Sequence, residues 1–133
     1  MPDLDHALEQ TSSSANERAA LLAHRAAALA ALAQPDAAIV AYNDALAALD
    51  QTNDSAARAV VAWQLGTLLL QRGEHSTALE LMQQRVDYER NQRLPTVEYY
   101  ERKLEDARHN ARAARSVAAA PRKASWLDRL LRR

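Results

Sequence analysis

Trp63–Val86 reads WQLGTLLLQRGEHSTALELMQQRV, and the fold follows from how this stretch divides. Trp63, Leu65, Leu69 and Leu70 give its first half a single apolar helical face, and Ala78, Leu79, Met82 and Val86 recur at i, i+1, i+4 and i+8 in the second. Arg72-Gly73-Glu74 lies between them as a turn, with Gly73 supplying the backbone freedom that a helix end needs. Gly66 is a small residue where two backbones can approach closely. The stretch predicts two helices folded back on each other, a scaffold suited to binding, with no reaction written into it.

The same punctuation extends outward. Residues 1–14 read as a flexible segment or short helix that carries Leu4 and Leu8 and breaks at Thr11-Ser12-Ser13-Ser14. A helix is expected from Ala15 to Ala33, stopped by Pro35, because the residue before a proline is pushed away from helical angles. Asp36 then caps a second helix to Asp50, whose Ile39, Tyr42, Leu46 and Leu49 form one stripe. Asp54 or Ser55 caps a third helix to Gln71, and a fourth runs from Ser76 to Asn91. Leu94-Pro95-Thr96 interrupts the pattern, and a fifth helix is expected over 96–118, with Glu98 and Glu101 near its start. Residues 119–133 read as a basic linker and an amphipathic tail, SWLDRLLRR.

Composition supports an all-α class. Thirty of the 133 residues are alanine, phenylalanine is absent, and two glycines with four prolines leave little material for hairpins of strands. Alanine favours helix but buries little area, so closely apposed helices are expected over a thick aromatic core. Without cysteine there are no disulfides, thiolate metal sites or thiol chemistry. The acidic start lacks a secretory pattern, and the longest apolar run, Ala26–Ala33, is far short of the roughly 20 residues of a membrane span. A soluble cytoplasmic protein is expected. The zero net charge hides a polarity: eight acidic residues against two basic ones up to Ala57, and eight basic against Asp128 alone from Ala107 onward. Such asymmetry suits a nucleic-acid- or membrane-facing tail, or packing between copies.

Shifting the chain by 40 residues lays one hairpin on the other: Ala26 on Gly66, Leu29 on Leu69, Ala38-Ile39 on Ala78-Leu79, and Tyr42 on Met82. Leu65-Gly66, Leu69, Gly73 and Ala78, with Ala26, Leu29, Ala38, Tyr42 and Ala45-Leu46 before them, resemble the tetratricopeptide repeat (TPR) over about Ala19–Arg90. Arg25 and Ala33 depart from that pattern, the closing proline is missing, and the spacing exceeds the usual one. The resemblance implies antiparallel hairpins stacked as a short TPR-like solenoid, with the fifth helix as a C-terminal cap. A five-helix bundle with fortuitous alanine matches is the competing architecture.

By the resemblance, a partner groove is lined by Ala20, Ala23, Ala27, Ala30 and Ala31 from the first unit and by Val60, Trp63, Thr67, Leu70 and Gln71 from the second, and would take a helix or an extended apolar segment of another protein. Trp63 fits equally as a core residue under a neighbouring helix. Arg108, Arg112 and Arg115 make a basic stripe continued by Arg122 and Lys123, and Trp126, Leu127, Leu130 and Leu131 make a C-terminal docking face. His6, His24, His75 and His109 have no ligand spacing, and no nucleophile elbow or phosphate loop is present, so neither a metal, a cofactor nor catalysis is expected. The leading expectation is a non-enzymatic adaptor, with a homo-oligomer as a further possibility. The alternative is an accessory protein whose Arg-rich C-terminal region binds nucleic acid or an anionic membrane surface.

Overall fold

The structure, a computed structural model, describes the backbone of residues 3–119 and the side chains of residues 14–118. Within them the chain forms five helices and no strand: α1 (Asp3–Ala31), α2 (Pro35–Leu49), α3 (Ser55–Gln71), α4 (His75–Asn91) and α5 (Val97–Ala119). α1 pairs with α2 and α3 with α4 as antiparallel hairpins, α2 joins the two through α3, and α5 lies on α4. The result is a short solenoid of two hairpins with a capping helix. None of the described helices is long and apolar enough to cross a membrane.

Four helices begin and end close to where the sequence places them, and α1 differs. It runs unbroken through Thr11–Ser14, where a loop is expected from the serines. No glycine or proline falls between Asp3 and Ala31, so nothing in that stretch forces the backbone out of helix. The basic linker and tail, including Arg122, Lys123, Trp126, Leu127, Leu130 and Leu131, lie outside the described residues.

Three helices stop in the same way. Ala33 (φ 58), Gly73 (φ 82) and Arg93 (φ 52) each take the left-handed conformation. Each closes a pair of backbone hydrogen bonds onto the helix it ends: Ala33 and Gln34 to Ala30 and Leu29, Gly73 and Glu74 to Leu70 and Leu69, Arg93 and Leu94 to Arg90 and Glu89. The stop is thus set by this cap, with Pro35 taking the first position of α2 rather than ending α1. A side chain is strained at such a position and glycine is not. Replacing Ala33 by glycine is therefore expected to stabilise the protein by about 0.5–1 kcal/mol, and Gly73→Ala to destabilise it by a similar amount. Urea denaturation of the two variants checks both signs.

Asp54 caps α3 by accepting a hydrogen bond from the Ala57 amide at 2.9 Å. Asp36 does not cap α2. It lies in the first turn and its carboxylate is engaged by Arg72, at the far end of α3, so a local signal serves a contact between hairpins.

The main core brings Ala19 and Ala26 of α1 together with Ala38, Tyr42, Ala45 and Leu49 of α2, Val61, Leu65 and Leu69 of α3, and Ala78 of α4. Burial pushes the pKa of the Tyr42 hydroxyl up, as expected for a phenol in the core rather than a proton-transfer group. The 40-residue register survives in space: Ala38 and Ala78 are both fully buried, and Tyr42 and Met82 both lie in the core. At Gly66 the helices of the second hairpin meet so closely that a Cβ would lie 2.9 Å from Met82 Cγ and 3.0 Å from the Ala78 carbonyl oxygen. Met82 can swing away, but the carbonyl belongs to the backbone of α4. Gly66→Ala is accordingly expected to cost about 1–2 kcal/mol, although alanine normally favours helix over glycine by about 1 kcal/mol. A fall in the urea midpoint measures it, and a rise would place the closest approach elsewhere.

Candidate interaction groove

Successive residues of an α-helix turn by a fixed angle, so positions seven apart share a row. The sequence assigns two such rows to one groove, and the structure separates them. Ala20 and Ala27 on α1 face a cleft whose opposite wall carries Val60 and Gln64 of α3. Asn16, Ala19, Ala23, His24, Leu49, Asp54, Ala57 and Val61 complete a space of about 360 Å³. Its walls are mostly methyl groups, since alanine brings the α1 and α3 backbones near each other without filling the gap. Val60 is 41% exposed into it.

Polar groups lie at two points of this cleft. Asn16 Oδ1 and Gln64 Oε1 are both shielded from solvent and accept no hydrogen bond among the described residues. A buried carbonyl oxygen left unpaired costs about 1–3 kcal/mol, so these two amides are local points of lower stability beside the cleft. Neither residue is part of the expected groove lining. The only signal for them was their polarity beside an alanine-rich face.

Trp63 and Leu70, expected in the groove, belong to the second row and pack instead with Met82, Val86 and Leu104 under α5. The Trp63 ring meets Tyr100 edge-on, with centroids 4.8 Å apart and planes at 89°. Their counterparts in the first hairpin, Ala23 and Ala30, are partly buried against the main core. Thr67 turns its hydroxyl back to the Gln64 carbonyl at 2.9 Å, a bond within α3 itself. Ala31 and Gln71 are exposed at the helix ends. Of the expected lining, Ala20, Ala23, Ala27 and Val60 are brought together, and the others are not.

The joint beneath α5 is partly polar. Glu89, 1% exposed, stands on α4 where the first hairpin has Leu49. It accepts from Arg85 Nε at 3.1 Å and from the Thr96 hydroxyl at 2.6 Å. Arg85 also donates to the Tyr100 hydroxyl at 2.9 Å and lies over that ring, 4.3 Å from its centroid. Thr96, just before α5, thus spends its hydroxyl on tying α5 to α4. Leu104, Ala107 and Ala111 bury the rest of the seam.

The basic stripe of α5 is partly engaged within the protein. Arg108 donates to Gln83 Oε1, Arg112 bonds Glu105 at 3.2 Å, and Arg115 is exposed. Acidic side chains thus lie among these arginines, and the stripe is not a uniform field of one sign. Among the described residues no group of three or more His, Asp or Glu side chains is placed to hold a metal ion. No protein-family model, no curated protein and no solved structure matches the chain.

Proposed function

We propose that the protein is a non-enzymatic interaction module that holds a segment of a partner protein in the cleft between α1 and α3. The observation that carries this reading is the largely apolar, alanine-rich cleft of about 360 Å³ between α1 and α3, at which Val60 is exposed. Apolar walls with a few polar residues among them suit a segment whose apolar side chains fill the alanine-lined space. The resemblance of the two hairpins to tetratricopeptide repeats supports the same class, in which hairpin stacks present a concave face to a partner segment. The proposed groove is narrower than the sequence suggests, and its key position is Val60 rather than Trp63.

The test is selection of binding peptides from a displayed random library by the whole protein, followed by titration of the enriched peptides against Val60→Arg. Val60 is exposed, so the substitution leaves the fold intact by circular dichroism. Binding is expected to weaken at least tenfold, which corresponds to about 1.4 kcal/mol. Peptides that bind Val60→Arg as tightly as the unaltered protein would place the site elsewhere.

A further inference from the structure

Two joints in this fold are made in one way. On α3, Val61, Leu65, Leu68 and Arg72 follow at i, i+4, i+7 and i+11; the first three are buried in the core shared with α2, and Arg72 engages Asp36 of α2. On α5, Tyr100, Leu104, Ala107 and Ala111 follow at the same spacing, and Tyr100, Leu104 and Ala107 pack with Met82 and Val86 of α4. Each helix thus docks through such a row on the hairpin before it. α1 carries the corresponding row, Leu21, Arg25, Ala28 and Leu32, forty residues before that of α3. No described element covers it: Leu21 is 71% exposed and Leu32 68%, whereas their neighbours Leu22 and Leu29 pack into the core.

We infer that this face of α1 docks on the same face of a second copy, the two α1 helices running antiparallel about a two-fold axis at Leu21. Charge pairing supports this register, in which Leu21 rather than Leu32 lies at the axis. Across such an axis, residues equally far on either side of Leu21 meet, so Glu17 of each copy faces Arg25 of the other, while Leu21 meets Leu21. Ser14 and Ala28, the next pair outward, are small enough for the helices to approach. An axis at Arg25 would instead set two guanidinium groups against each other. Glu17 and Arg25 are both exposed, and neither forms an ion pair among the described residues. The contact leaves the Ala20 and Ala27 wall of the cleft free, because these residues lie about a quarter-turn or more around α1 from Leu21, with His24 at the margin between the two surfaces. The dimer presents two grooves.

Sedimentation equilibrium of the full chain over a wide concentration range tests this, with circular dichroism to confirm the fold of each variant. The unaltered protein is expected to dimerise reversibly, and Leu21→Asp to remain monomeric. Glu17→Arg and Arg25→Glu, taken singly, each set like charges together twice and are expected to weaken self-association roughly tenfold or more. Mixing these two single variants restores opposite charges at both contacts and is expected to recover the dimer as a heterodimer; combining them in one chain recovers the homodimer. The inference is overturned if the unaltered protein stays monomeric, if Leu21→Asp dimerises unchanged, or if the mixture associates no better than either variant alone. Peptide capture by the groove is a separate measurement, and its failure leaves this result standing.

Discussion

Glu89→Ala is expected to destabilise the protein by about 3–5 kcal/mol, the cost of stranding one member of a buried ion pair. Glu89 is among the most deeply buried side chains, and its two oxygens take the Arg85 and Thr96 hydrogen bonds. Truncation leaves the Arg85 guanidinium, itself largely shielded, with the Tyr100 ring and hydroxyl but no counter-ion. The first hairpin shows what the site accepts in place of charge, since Ala45 and Leu49 occupy the positions of Arg85 and Glu89 there. Arg85→Ala combined with Glu89→Leu is therefore expected to recover most of the loss, as well-packed apolar replacements of buried pairs commonly do. Urea midpoints of the single and double variants decide the matter. A double variant as unstable as Glu89→Ala alone would mean that the Thr96 and Tyr100 hydroxyls, left without Glu89 and Arg85 respectively, cost as much as the stranded guanidinium.

Leu104→Ala is expected to cost about 2–5 kcal/mol, and to do so locally. Apart from Tyr100, the buried residues that α5 offers are Leu104 and the alanines Ala107 and Ala111, so most of its apolar grip rests on one side chain. Loss of that grip frees α5 before the hairpins open. Hydrogen exchange in α5 should accelerate ahead of exchange in α3 and α4. In a Trp126→Phe background, the fluorescence of Trp63 should shift to the red as its ring parts from Tyr100 and meets water. Exchange rising equally in all five helices would show that α5 melts with the whole fold.

Helix positions were legible because proline, glycine and capping residues punctuate a chain that is otherwise strongly helical. The expected and observed limits of α2, α3, α4 and α5 differ by a residue or so. α1 escaped that reading because serine and threonine favour loops only weakly when neither glycine nor proline joins them. The groove was half legible. Periodicity says which residues share a face, but it does not distinguish two rows about a sixth of a turn apart until a neighbour is known. Ala23 and Ala30 against Trp63 and Leu70 held a hint, for a large apolar row on α3 calls for a further helix to cover it, and α5 is that helix. Asn16 and Gln64 offered only their polarity beside an alanine-rich face, since the shielding of their side-chain oxygens exists only in the folded chain.

Ala19, Ala26, Ala38, Ala41, Ala45 and Ala48 form much of the buried surface of the first hairpin, whereas the second relies on Leu65, Leu68, Leu69, Met82 and Val86. Methyl groups release little free energy on leaving water, so α1 and α2 draw much of their cohesion from α3 beside them. During synthesis the chain emerges from its amino end. The hairpin that leaves the ribosome first is the one less able to persist alone, and its assembly waits on the arrival of α3.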